Sequence, residues 1–248
     1  MAEPKSGATP PADGKFSLIS NEKLVALYTN LLKFRRTARQ SGNGKFAAMR
    51  GREAAVVGTA IDLGVGDVVC SREHGLLTGF ADGETIEKLL FTGNGRSLPR
   101  ETAHAIGTAL TNKTKKNGKV AVMFAEEQEQ FREALHVATV HALPMIFVHQ
   151  PDGKRGKAQR YGRPSSQKNS AEEETPWFPS ITVDGNDVVA VFRVANEAIS
   201  RARLGRGPTL IECRPFRVNG QRVHDPVRNM EHYLRARGLF DPKLNNRA

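Results

Sequence analysis

From Lys119 onward the chain alternates between short apolar runs and long stretches with helical spacing. The runs are "KVAVMF", "PMIFVHQ", "ITVDG" and "PTLIECRPF"; the helical stretches are "EEQEQFREALHVATVHA" and "DVVAVFRVANEAISRARLG". Strands that read as nearly continuous apolar segments are buried on both faces, and helical crossovers between them make neighbouring strands parallel. The pattern predicts an α/β fold, a mainly parallel sheet with helices on both faces.

The first half is less regular. "SNEKLVALYTNLLKFRRTARQ" sets Leu24, Leu27, Tyr28 and Leu31 on one face, with Ser20 or Asn21 placed to cap the start, which predicts an amphipathic helix. In "GREAAVVGTAIDLG", beginning at Gly51, the small residues Ala54, Ala55, Gly58 and Ala60 let another backbone come close, so a buried helix is expected. "GDVVCS" reads as a buried strand, "ETIEKLLFTG" from Glu84 as a short helix, and "PRETAHAIGTALTNKTKK" as a helix whose terminal lysines suit its dipole. "VRNMEHYLRARGLFDP" is a last helix, stopped at Gly238 and Pro242.

The organisation expected is a flexible tail over residues 1–15 and a single α/β domain over 16–248. A mobile loop is expected over 151–176, where polar residues, glycine and proline dominate and the nearest apolar anchors are Trp177 and Phe178.

Composition narrows the function. Of 248 residues 39% are hydrophobic, enough for a sizeable core. No apolar run approaches the roughly 20 residues of a membrane span, and the opening "MAEPKSGATPPADGK" lacks the apolar centre of a secretory signal, so a cytoplasmic protein with no membrane contact is expected. Cys70 and Cys213 sit in strand-like runs and read as buried reduced thiols. His136 and His141 are five apart, which turns them to different helix faces, and no metal site is expected.

The net charge of +11 raises polyanion binding. Its basic clusters are "KTKKNGK", Lys113 to Lys119, and "GKRGKAQRYGRPSSQK", Gly153 to Lys168, where Tyr161 alone offers a stacking surface. No nucleic-acid-binding motif accompanies them, so solvated loops are the favoured reading and a nucleic-acid or polyanion binder is kept as an alternative. The chain has no "GxSxG" elbow, no complete dinucleotide fingerprint and no P-loop.

Six segments, in order, carry a resemblance: "GREAAVVG", "GDVVCSREHGLLTGFADG", "EALHVATVHALPMIFV", "VDGNDVVAVF", "ARLGRGPTLIECRPFR" and "YLRARGLFDP". Together they resemble the alpha subunit of the decarboxylating component of 2-oxo acid dehydrogenase complexes, of the pyruvate and branched-chain type. The resemblance implies a thiamine-diphosphate-binding-type fold, with thiamine diphosphate and magnesium held at the carboxyl edge of the sheet between alpha and beta subunits. It also implies partners: a beta-subunit-like chain or a homo-oligomer, with the small-residue face of Gly51 to Ala60 as a candidate helix–helix contact.

The family's cofactor motif opens with Gly-Asp-Gly after one strand and closes with Asn-Asn after the next, because magnesium takes oxygen ligands in near-octahedral geometry. Here the first turn reads Ala125, Glu126, Glu127 and the second reads Pro151, Asp152 after His149 and Gln150. Carboxylates at Glu126, Glu127 and Glu129 repel a diphosphate by several kcal/mol at an effective dielectric of about 20. As ordinary first-turn residues they favour a helix dipole by about 0.3–1 kcal/mol each, and a changed metal site of Glu126, Glu127 and Asp152 is the less favoured alternative.

Other departures fall at the same site. Arg72 and His74 match residues that contact the cofactor, but Ser71 replaces the family's tyrosine, so the pair is read as vestigial. A glycine-rich segment is missing between Gly95 and Thr102, and Gly220-Gln221 stands for Gly-His, with His224 three residues on. The reading is a degenerate member without bound cofactor, a non-catalytic scaffold or regulatory homologue. The alternative is an oxidoreductase subunit acting on 2-oxo acids, whose missing groups come from a beta subunit.

Overall fold

The computed structural model describes residues 19–40, 52–71, 75–78, 98–125, 132–151, 178–215, 217–218, 221–222 and 225–246. The tail 1–15, the loop 151–176 beyond Pro151, and the helix expected from Glu84 lie outside the described residues.

Helix α1 (Asn21–Gln40) begins where the Ser20 hydroxyl accepts from the Lys23 N–H at 3.2 Å, and it buries Leu24, Leu27, Tyr28, Leu31 and Phe34. Helix α2 (Glu53–Ala60) is buried at every position. Strands β1 (Val68–Ser71) and β2 (Gly75–Thr78) follow, then α3 (Leu98–Lys115), β3 (Ala121–Ala125), α4 (Arg132–Val140) and β4 (Met145–His149). The remainder is β5 (Ser180–Asp184), α5 (Val188–Arg203), β6 (Thr209–Arg214), the short pair β7 (Arg217–Val218) and β8 (Gln221–Arg222), α6 (Pro226–Ala236), and a 3-10 turn (Pro242–Asn246).

Six strands form one sheet in the order β2-β1-β3-β4-β6-β5, parallel throughout except for β2, which pairs antiparallel with β1. The pleat sends alternate residues to opposite faces. Val122, Phe124, Ile146, Val148 and Ile211 face α1, α2, α5 and α6, whereas Ala121, Met123, Met145, Phe147 and Leu210 face α3 and α4. Both faces of the central strands are therefore dry, which is why their sequences read as unbroken apolar runs.

Two features were not foreseen. Strand β2 is "GLLT", too short and glycine-led to show a period, and β7–β8 is a two-residue pair. One expectation is corrected: the small-residue face of α2 is filled from within the chain. A Cβ added at Gly58 would stand 2.9 Å from Val191 Cγ1 and 3.0 Å from the Phe192 nitrogen, so α5 already occupies the approach.

Among the described residues no helix is long and apolar enough to cross a membrane. Cys70 and Cys213 are buried and neither forms a disulfide; burial, with Asp184 nearby, pushes the Cys213 thiol up to about 12, which leaves it unreactive at neutral pH.

Candidate functional site at the carboxyl edge

The winding of the chain reverses at one place. From β1 through β3 to β4 the crossover helices α3 and α4 lie on one face; from β5 back to β6 the crossover α5 lies on the other. The carboxyl ends of β3, β4 and β6 thus border the crevice where sheets of this kind take ligands.

Two strand ends meet there in register. Ala125 at the end of β3 lies beside His149 at the end of β4, and the Gln150 N–H donates to the Ala125 carbonyl at 2.9 Å. On the other side His149 lies beside Glu212 of β6. His149, Gln150 and Glu212 are all buried. Glu212 Oε2 accepts from Arg214 Nη2 at 2.6 Å and from Thr182 Oγ1 at 3.2 Å, so its charge is neutralised inside the edge.

Helix α2 closes the crevice from above. Its preceding carbonyl, that of Arg52, accepts from Gln150 Nε2 at 3.4 Å. Glu53, buried in the first turn, takes Arg35 of α1 on Oε1, from Nε at 3.3 Å and Nη2 at 3.2 Å. The same guanidinium donates from Nη1 to Asp225 Oδ1 at 2.9 Å, and that oxygen caps α6 by accepting from the N–H groups of Val227 and Arg228. Burial works against the charged Arg35, but its bond to Asp225 and the field of Glu53 outweigh it and hold its pKa above the ordinary value. Burial likewise opposes the Asp225 carboxylate, yet the Arg35 bond and the two backbone donors carry its pKa below the usual range. One arginine thus ties α1, α2 and α6 together at this edge.

Among the buried polar atoms nearby without a hydrogen-bond partner are Glu53 Oε2 and both amide atoms of Asn186, which sits in the turn after β5. That turn is tight, since a Cβ at Gly185 would stand 2.9 Å from the Cys213 carbonyl oxygen.

The sequence-predicted site residues are placed unevenly. Ala125, His149, Gln150 and Pro151 come together as expected of adjoining turns. Arg72, His74, Glu126, Glu127, Glu129, Asp152, Gly220 and His224 lie outside the described residues. Glu53, Arg35 and Asp225 were not singled out from sequence, although a glutamate in the otherwise apolar, small-residue "GREAAVVG" is a signal that a buried partner exists.

A family model described as "Dehydrogenase E1 component" matches residues 83–235, more than half of the chain. The chain belongs to the dehydrogenase E1 component family. The alpha subunit of acetoin:2,6-dichlorophenolindophenol oxidoreductase from Bacillus subtilis (strain 168) is 41% identical over 121 residues, which span 47% of this chain and 36% of that one. The 2-oxoisovalerate dehydrogenase subunit alpha of the same organism is 27% identical over 286 residues, covering 91% of this chain and 86% of that one. The pyruvate dehydrogenase E1 component subunit alpha of Rhizobium meliloti (strain 1021) is 26% identical over 273 residues, covering 93% and 78%. Within the E1 component family the chain sides with the alpha subunits, and its mainly parallel sheet with helices on both faces is an α/β fold.

The turns that follow β3 and β4, from Glu126 and from Asp152, lie outside the described residues, so only the strand ends leading into them can be compared with the family's metal-bridged diphosphate site. Magnesium wants several hard oxygen ligands at fixed range. The strand ends offer the methyl of Ala125, the imidazole of His149 and the amide of Gln150, which already donates to Arg52. The carboxylates of Glu212 and Glu53 at this edge are engaged by Arg214 and Arg35. Among the described residues no group of three or more His, Cys, Asp or Glu side chains is arranged to hold a metal ion.

Proposed function

We propose that this E1 alpha-subunit homologue is non-catalytic and acts as a scaffold or regulatory subunit, keeping the alpha-subunit fold and holding a beta-subunit-like partner. One observation carries the reading. The two strand ends that in the family lead into Gly-Asp-Gly and Asn-Asn lie side by side here, joined by the Gln150 to Ala125 bond at 2.9 Å, but the sequence there reads Ala125-Glu126-Glu127 and Pro151-Asp152. A carboxylate-bearing turn repels a diphosphate, and a proline in place of an amide removes a ligand. Neither change disturbs the sheet, so fold and chemistry come apart.

Identity of 41% to a subunit of an acetoin oxidoreductase supports a second reading, an active 2-oxo acid or acetoin oxidoreductase subunit completed by its partner. The two separate in one experiment. The chain is co-expressed with the adjacent beta-subunit chain of its genome, purified, and assayed for decarboxylation of pyruvate and 3-methyl-2-oxobutanoate with thiamine diphosphate and magnesium. The expected result is a co-purifying partner and no turnover above buffer. Cofactor-dependent turnover establishes the second reading and ends the first.

A further inference from the structure

The opposite edge of the sheet has a chemistry of its own. Helix α3 ends in "KTKKNGK" and feeds β3; helix α5 ends in "RARLGR" and feeds β6. Both segments therefore emerge at the amino edge. Strands β3 and β6 flank β4, so the two segments enter the sheet two strand spacings, about 10 Å, apart.

Contacts between neighbouring loops join this edge into one surface. Lys113 Nζ donates to the His141 carbonyl in the loop after α4, and a Cβ at Gly207, before β6, would lie 3.5 Å from Ala142 Cα in that same loop. The Lys119 stem passes over Gly66, with Cε 3.2 Å from where its Cβ would be. Arg203 pairs with Asp67 at 2.8 Å, joining the end of α5 to the loop before β1.

The charge on this surface is one-sided. Its two loop carboxylates are occupied, Asp67 by Arg203 and Asp62 by Lys23. Lys115, Lys116, Lys119, Arg201 and Arg206 make no ion pair among the described residues. Lys116 holds a left-handed backbone, φ 50°, at a helix end where glycine or asparagine is the easier residue. The segments of this edge also carry three of the most exposed large aliphatic side chains among the described residues: Leu204 at 70%, Val65 at 65% and Val140 at 55%.

We propose that the amino edge docks an acidic polypeptide whose aliphatic side chains cover Leu204, Val65 and Val140 while its carboxylates meet the Lys115–Lys119 and Arg201–Arg206 clusters. Charge complementarity identifies the partner's sign, and the aliphatic residues identify its class. A phosphate backbone gains nothing from covering leucine and valine, and among the described residues the edge supplies no exposed aromatic ring on which a base could stack. A protein segment with alternating glutamate and leucine satisfies both halves. The docking edge lies one strand length, about 16 Å, from the carboxyl edge, so both ends of the sheet can be engaged at once.

The test uses the purified full chain and three fluorescein-labelled probes of about 20 units: a Glu/Leu peptide, a Glu/Ser peptide of equal charge, and single-stranded DNA. The Glu/Leu peptide should bind more tightly than the other two, and its affinity should fall as salt rises. Leu204→Ser with Val65→Ser should cut that affinity about fivefold, and Lys115→Glu with Arg206→Glu about tenfold, both without change in circular dichroism. Both variants touch the α5–β6 loop, through Leu204 and Arg206, so Val65→Ser alone and Lys115→Glu alone, which lie on separate segments, keep the test decisive if either double variant loses its fold. Absence of Glu/Leu binding, binding untouched by either variant, or tighter binding of DNA overturns the proposal.

Discussion

The two ends of the sheet handle charge in opposite ways. At the carboxyl edge the buried carboxylates Glu53 and Glu212 are paired within the fold, Glu53 with Arg35, which also holds the partly exposed Asp225, and Glu212 with Arg214. At the amino edge Lys115, Lys116 and Arg206 are exposed, while the carboxylates of Asp67 and Asp62 are already taken. Inward pairing of that kind knits helices together and leaves little charge for a ligand. Outward charge contributes little to folding and is available to a partner. One edge has become structure, and the other remains surface.

Substitutions at the two edges should therefore differ in kind. The largest loss is expected at Gly58→Val, which drives side-chain atoms into Val191 and the Phe192 backbone and unseats α2, the helix that carries Glu53. Urea unfolding should show about 3 kcal/mol of destabilisation, and a loss below about 1 kcal/mol would mean that α2 and α5 are not in the contact described. Arg35→Met comes next, because it strands a buried Glu53 and uncouples Asp225; about 2 kcal/mol is expected, below the range for a fully buried pair since Asp225 is partly exposed.

A pH series sharpens the same contrast. Asp225 has its pKa lowered in the folded state, so its contribution is present above the unfolded carboxyl value of about 4 and is lost as pH falls through the folded value. Asp225→Asn should flatten that acid limb by well under about 1 kcal/mol, the partial exposure of the pair limiting its size. If the limb is unchanged in slope, the Arg35–Asp225 bond does not persist in solution. Smallest of all, Lys115→Glu with Lys116→Glu should leave stability within about 0.5 kcal/mol of the parent. A larger loss would show these lysines to be structural and would erase the distinction between the edges.

Much of this architecture was legible before the structure. The unbroken apolar runs of β3, β4 and β6 required burial on both faces, and the spacing of Leu24, Leu27, Tyr28 and Leu31 required α1. Strand β2 was not legible because four residues with a leading glycine carry no period. The site was legible only as sequence: the Ala125 and His149 turns could be named from the family resemblance, but their side-by-side register follows from strand pairing that a sequence does not display. The Arg35–Glu53–Asp225 junction joins residues up to 190 positions apart and has no local signature. The fate of the small face of α2 was ambiguous for a physical reason. Small residues state that a backbone approaches, and do not state whose.

The central claim is that this E1 alpha-subunit homologue has kept the fold and lost its hold on the diphosphate. Calorimetric titration of the full chain with thiamine diphosphate and magnesium tests it directly. No heat of binding above dilution is the predicted result; a saturable isotherm with micromolar affinity would contradict the account.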